Sequence, residues 1–155
     1  MTIYVKIRTV TAAIAALSIS GVTIKDLSGI PSNANLLAKT LYPNPESGTI
    51  QGFLPVRQTK GIGGGERVNI GYGIKYRYLH CTPNALNAGD VIDDLVNTLS
   101  TIFAALIADD AVSGAVDLWI DSVSDFPAIV NDPAGNPFWG CDFVVTIQEF
   151  AEVAP

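Results

Sequence analysis

The chain has one histidine, His80, and imidazole is the side chain that most often acts as a general base or metal ligand near neutral pH. A catalytic base needs a nucleophile or an orienting partner, and a metal site needs further ligands. His80 follows a strand-like segment, and alternation along a strand predicts that its neighbour Cys81 points to the opposite face. We therefore expect an ordinary strand histidine, with no catalytic residue and no metal site.

Glycines are concentrated in one short run, Gly61-Ile62-Gly63-Gly64-Gly65. A phosphate-binding loop would need Lys followed by Ser or Thr, and then a helix whose N-terminus receives the phosphate. Here Glu66 and Arg67 follow, and the next segment alternates as a strand does. The run therefore predicts the flexible tip of a β-hairpin, and we expect no nucleotide or other cofactor.

Acidic residues outnumber basic ones, fifteen to nine, which gives a net charge of −6. This balance argues against a protein that grips nucleic acid through its phosphates, because such a surface needs clustered cations. The spacing of the aspartates does not match an EF-hand loop, which alternates oxygen ligands around a central glycine. The acidic side chains are therefore interpreted as solvated positions at helix ends and on strand faces.

The composition is that of one domain spanning residues 1–155, with 48% hydrophobic and only 15% charged residues. Apolar surface in excess of what a monomer needs is often buried between subunits, and Trp119 and Trp139 are candidate core or subunit anchors. The apolar residues of the first helix recur at helical spacing, which favours an amphipathic helix over a secretory signal. Cys81 and Cys141 are predicted to be free thiols in a reducing cytosol.

The longest regular pattern lies between Arg67 and Cys81, where side chains alternate between two faces. One face carries Val68, Ile70, Tyr72, Ile74, Tyr76 and Tyr78, and the other carries Asn69, Gly71, Gly73, Lys75 and Arg77. A strand of this length spans roughly 50 Å, whereas a domain of this size has a radius of gyration near 15 Å. The strand must therefore bend sharply or extend beyond its own core, where it needs a partner.

The other elements follow from periodicity and from turn residues. In the first part of the chain we expect a helix over 3–17, a strand over 22–27 and an irregular connection over 29–48. An edge or bulged strand containing Pro55 should follow over 50–58. After the long strand we expect a helix capped by Asp90 and ending near Asp109, a strand over 115–123 and, after a Pro-rich turn, a strand over 138–150. The predicted fold class is α+β: a mostly antiparallel sheet with a long protruding β-hairpin, packed against two helices.

Four segments have the layout of a known family: Leu41–Pro45, Tyr72–Leu79, Asp90–Ala108 and the closing strand Phe138–Glu149. In their order and composition they resemble the tail terminator (neck) proteins of long-tailed bacteriophages, and the likeness extends from the opening helix to Phe150. The resemblance implies a non-enzymatic structural protein of the virion, assembled in the host cytoplasm. Such proteins form hexameric rings at the head-proximal end of the tail tube, stop its polymerisation and join it to the head connector.

The partners implied by the resemblance are further copies of the chain, the tail tube protein and the head–tail connector protein. DNA would pass through the ring without specific binding, since the negative charge of the chain repels phosphates. No membrane partner is expected, because no uninterrupted apolar run reaches the length of a membrane span. We place the subunit or tube contacts on the hairpin (Gln51–Tyr78) and on the long Pro-rich connection, with Arg57, Lys60, Ile62, Arg67 and Tyr72 as the candidate residues.

Two other functions remain open from the sequence. A head-completion or connector protein of the same neck would share the structural role. A small-ligand-binding α+β domain would need a pocket where polar groups converge, and the sequence shows no such cluster. An enzyme is the interpretation with the least support, since the single histidine has no obvious companions.

Overall fold

The computed structural model describes residues 5–30, 33–46, 48–60, 66–108 and 116–152. Within them, one sheet of seven strands packs against two helices, so the predicted α+β class is confirmed. The helices are α1 (Ile7–Ala15) and α2 (Ala88–Ala108), and the strands are β1 (Thr23–Ile24), β2 (Thr40–Pro43), β3 (Ile50–Lys60), β4 (Glu66–Cys81), β5 (Val116–Val123), β6 (Ala128–Asn131) and β7 (Pro137–Glu152).

The sheet is organised around the antiparallel pair β4–β7, which stays in contact from Arg67 opposite Glu152 to Cys81 opposite Trp139. The outer edge of β4 pairs with β2 along one half and with β3 along the other. The outer edge of β7 pairs in the same way with β6 and β5. The pairing of β1 with β2 is parallel, and the other pairings between described strands are antiparallel. We call the region where β3 and β5 flank the central pair the β3–β5 end.

The main core lies between one face of the sheet and the two helices. Alternate residues of β4 and β7 point into it, as the period of two predicts. On α2 the buried residues recur every three or four positions, as an amphipathic helix requires: Val91, Leu95, Leu99, Ile102 and Leu106. By length and composition alone this helix could cross a membrane, and it packs here as a core helix on the sheet. We call the opposite sheet face, away from this core, the outer face.

Helix α2 begins earlier than the sequence indicated. Its cap is Asn87, whose side-chain oxygen accepts a 2.9 Å hydrogen bond from the backbone N–H of Asp90. Asp90 therefore lies inside the first turn, and the prediction that it is the N-cap is wrong. Asp90 still carries favourable negative charge at the positive end of the helix dipole.

Two strands lie in segments that were predicted to be irregular. Strand β2 falls within the 29–48 connection, and β6 falls within the Pro-rich turn before β7. All four residues of β2 are buried, so the strand has no polar alternation that could reveal it. The first predicted strand is shorter than expected, because β1 contains two residues and a 3-10 turn follows at Leu27–Gly29.

The long predicted strand is confirmed as β4, of 16 residues. Its partner β3 is irregular on both sides of Leu54–Pro55, as the proline predicted, and Gly52 adopts a φ of 62° that favours glycine. The hairpin is not a free two-stranded ribbon, because β7 follows β4 as far as Glu152. Its predicted tip, residues 61–65, lies outside the described residues.

Both cysteines are free thiols, and Cys141 is buried. A register shift between Leu79 and Cys81 inserts an extra residue into β4 and interrupts the alternation of its side chains. Cys81 consequently packs against the helix-covered core, and the prediction that it points to the opposite face is wrong.

Candidate functional site

The residues predicted to form subunit contacts all belong to the β3–β4 hairpin. Arg57 and Lys60 lie on β3 and Arg67 lies on β4, close to the end of the hairpin. Ile62 lies outside the described residues. Tyr72 lies in the helix-covered core and is only 2% exposed, so a neighbouring subunit could reach its side chain only if that core opened.

Tyr72 instead belongs to a polar contact that joins β4 to β7 and to the segment before α1. Its hydroxyl donates a 2.7 Å hydrogen bond to the buried carboxylate of Glu149 on β7. The other oxygen of Glu149 accepts a 2.8 Å bond from the backbone N–H of Lys6, just before α1. Burial, and then the bond to Glu149, raises the pKa of the Tyr72 hydroxyl well above its usual value of 10.0.

The outer face carries a groove at the β3–β5 end, with a volume of about 550 Å³. Its middle is low because Gly71 and Gly73 on β4 lack side chains, while Leu54 on β3 and Trp119 on β5 stand at its two sides. Leu54 is 61% exposed and Trp119 is 41% exposed. The groove is therefore an apolar surface that the described part of the chain leaves open to solvent.

Further along the outer face, Arg77 joins four segments of the chain. Its guanidinium donates two hydrogen bonds to the carboxylate of Asp142 on β7, of 2.6 and 2.9 Å. The remaining Nη1 donates to Glu46 Oε2 at 3.0 Å and to the carbonyl of Asn131 at 2.9 Å. The bond to Asp142 outweighs desolvation and raises the pKa of Arg77 above its usual value. The guanidinium therefore stays charged, and each of its three nitrogens donates to a protein oxygen.

A cleft of about 280 Å³ lies beside this cluster and is lined largely by polar residues. Its lining includes Asn44, Glu46, Lys75, Arg77, Ser122, Ser124 and Asp142. The sequence did not reveal this convergence, because the residues come from four separate segments and only the register of the sheet brings them together.

His80 has two companions that the sequence analysis did not find. Its Nδ1 lies 3.0 Å from the hydroxyl of Tyr78, and its Nε2 lies 2.8 Å from the carboxylate of Asp94 on α2. Asp94 is separated from His80 by the turn into α2, and no spacing rule signals the pair. Because His80 is 1% exposed, neither ring nitrogen is available to a substrate, and the contact links the sheet to α2.

A second buried carboxylate, Asp132, organises the loop that covers the other end of the outer face. It accepts hydrogen bonds from the backbone N–H groups of Leu36, Ala134 and Asn136. Desolvation acts to raise the pKa of Asp132, but these bonds outweigh it and the pKa lies below its usual value. Among the described residues, no group of three or more His, Cys, Asp and Glu side chains could hold a metal ion.

No protein-family model matches the chain, and no curated protein matches it.

Proposed function

We propose that this chain is a structural virion protein that forms a ring at the head-proximal end of a phage tail tube. In this role it terminates polymerisation of the tube and joins the tail to the head connector. The proposal starts from the resemblance of four sequence segments to tail terminator proteins, and the α+β fold with its long β3–β4 hairpin is compatible with it.

The observation that supports the proposal most is the open apolar surface at the β3–β5 end. Leu54 on β3 is 61% exposed, and Trp119 on β5, which is 41% exposed, stands across the groove from it. Exposed aromatic and aliphatic side chains clustered on one surface are typical of protein–protein contacts. By contrast, the one histidine is enclosed and already paired, so its imidazole is not open to a substrate.

The experiment is a measurement of solution mass by light scattering across protein concentrations, for the chain alone and with purified tail tubes. A hexamer supports the proposal, and so does a monomer that becomes a ring only on tube ends. A monomer that neither assembles nor binds tubes at any concentration would overturn it.

The groove offers a matched pair of variants for this experiment. Leu54→Ser removes an exposed apolar side chain from the groove, and Leu37→Ser removes one that is 82% exposed on a distant loop. Both changes are mild for the fold, because exposed side chains contribute little to stability. We expect Leu54→Ser to weaken assembly or tube binding and Leu37→Ser to leave both unchanged.

A small-ligand-binding domain is the second candidate, and the cleft beside Arg77 is the observation that favours it. Its volume of about 280 Å³ lies at the lower end of the range for ligand pockets. Against this, each nitrogen of Arg77 already donates to a protein oxygen. A saturable ligand that raises the melting temperature of a monomer, with no effect of tubes, would favour this candidate.

A further inference from the structure

Among the described strands, two edges at the β3–β5 end of the sheet have no pairing partner. Within the described residues β3 pairs with β4 alone and β5 pairs with β7 alone. A free edge presents unpaired N–H and C=O groups, and another strand can add to it. The two edges lie on opposite sides of the molecule, because the order of strands here is β3–β4–β7–β5.

The directions of these strands allow two copies to join edge to edge. Each neighbouring pair in the order β3–β4–β7–β5 is antiparallel, so β3 and β5 run in opposite directions. If a second copy is placed beside the first in the same orientation, its β3 meets β5 of the first copy as an antiparallel partner. The contact uses different surfaces on the two copies, and a contact of this kind can repeat around a closed ring.

The charges on the two edge strands are of opposite sign. Strand β3 contains Arg57 and Lys60 and no acidic residue, whereas β5 contains Asp117 and Asp121 and no basic residue. Complementary charge favours the meeting of β3 with β5 and disfavours β3 with β3 or β5 with β5. It therefore selects the head-to-tail contact over a symmetric dimer.

Only part of each edge is regular enough to pair. Gly52 and Pro55 interrupt the first half of β3, whereas Arg57–Lys60 keeps an unbroken register with β4. On β5 the unbroken register runs from Val116 to Ile120. The two regular stretches are similar in length but lie at different positions along the strand direction. Pairing them therefore shifts each copy along the strand direction relative to its neighbour. A sheet that closes on itself requires such a stagger.

We propose that residues 57–60 of one copy add as an antiparallel strand to residues 116–120 of the next copy, and that this contact closes the ring. The inference rests on the proposed self-assembly, and it specifies which surfaces meet and in which direction. The occupant of both edges is a second copy of this chain.

Two charge-reversed variants test the pairing. In D117K/D121K both edges are positive, and in R57E/K60E both edges are negative. Each variant alone should stay monomeric by light scattering under conditions where the unchanged chain forms rings. An equimolar mixture should recover the ring mass, because every contact in an alternating ring is again between opposite charges. Asp90→Lys/Asp93→Lys on α2 makes the same charge change as D117K/D121K away from both edges. It removes the favourable charge at the start of α2, so circular dichroism must first show that it is folded, and it should then assemble normally.

Hydrogen exchange gives a second readout that does not depend on charge. Backbone amides of 57–60 and 116–120 should exchange more slowly in the ring than in the monomeric variants, while circular dichroism shows that the variants are folded. If the variants assemble like the unchanged chain, or if the mixture fails to recover the ring, the pairing is wrong and the proposed function stands. If the unchanged chain forms no ring even on tube ends, the proposed function itself fails.

Discussion

Arg77 and Asp142 lie directly opposite each other on β4 and β7, and their side chains share two parallel hydrogen bonds of 2.6 and 2.9 Å. Only the planar guanidinium can make this paired contact and still donate to Glu46 and Asn131. A single residue therefore ties two central strands to the loop after β2 and to the end of β6.

Replacing Arg77 by Lys should destabilise the protein by about 2 kcal/mol, because an ammonium group cannot reproduce the two parallel bonds. The measurement is urea unfolding followed by circular dichroism. Lys75→Met is the control. Within the described residues its Nζ donates to the carbonyl of Glu46 alone, on the exposed side of the cluster, and we expect a change below about 0.5 kcal/mol. Equal losses in the two variants would contradict this view of Arg77.

Glu149 accepts hydrogen bonds from the buried Tyr72 hydroxyl and from the part-buried backbone N–H of Lys6, and its removal should cost more stability than the loss of either donor. Glu149→Met leaves the Lys6 N–H and the Tyr72 hydroxyl without their acceptor, at a cost of about 3 kcal/mol. Tyr72→Phe removes one donor and should cost about 1 kcal/mol. Urea unfolding of both variants tests whether Glu149→Met loses more stability than Tyr72→Phe. A Glu149→Met protein as stable as the unchanged chain would refute the prediction.

Gly140 should tolerate no larger side chain. A Cβ at this position would run into the carbonyl oxygen of Tyr78 on the neighbouring strand, and backbone cannot move away as a flexible side chain can. We expect Gly140→Ala to cost about 3 kcal/mol, at the upper end for overpacking. In Gly89→Ala, in the first turn of α2, the nearest atom lies at an ordinary 3.4 Å. Thermal unfolding should show this control unchanged or more stable by up to about 1 kcal/mol.

The buried thiol of Cys141 should make stability depend on pH under alkaline conditions. Burial raises the pKa of Cys141 from 9.0 to about 12. As the pH rises above 9.0, the unfolded chain loses the thiol proton while the folded chain keeps it, so stability falls over the range from 9.0 to about 12. The loss attributable to Cys141 between pH 9 and 10 should be about 1 kcal/mol.

The measurement is the free energy of unfolding in urea at pH 8, 9 and 10, for the unchanged chain and for Cys141→Ala. The free energy of unfolding of Cys141→Ala should fall less steeply from pH 8 to pH 10 than that of the unchanged chain, whatever its value at pH 8. Cys81→Ala is the comparison. Burial also raises the pKa of the Cys81 thiol, but this thiol is less buried than that of Cys141, so we expect its removal to change the pH dependence less. Identical declines in the unchanged chain and in Cys141→Ala would exclude Cys141 as the cause.

The parts of the fold that the sequence predicted are those with a clear period. The alternation from Val68 to Tyr78 identified β4, and the stripe from Val91 to Leu106 identified α2. Strand β2 was missed because all four of its residues are buried, so nothing alternates. The N-cap was misplaced because Asn87 and Asp90 are both good capping residues, and only the direction of the hydrogen bond distinguishes them.

The polar contacts could not be predicted, because they depend on the register between strands that are distant in sequence. Arg77 meets Asp142 only because β4 and β7 pair in one particular register, and a shift by one residue would send every side chain to the other face. Glu149 left one signal: it is an acidic residue at an inward position of an otherwise apolar strand face. Such a residue must find buried donors.

The bond between Lys6 and Glu149 also has a kinetic consequence. It joins residues separated by 143 positions, and the central β4–β7 pair likewise joins segments far apart in sequence. Folding rates fall as the average sequence separation of native contacts rises. During synthesis α1 emerges well before β7, so the N–H of Lys6, which precedes α1, cannot donate to Glu149 until β7 has been made. The core therefore closes late. A chain interrupted before β7 would leave the helix-facing side of β4 exposed, and this apolar surface favours aggregation.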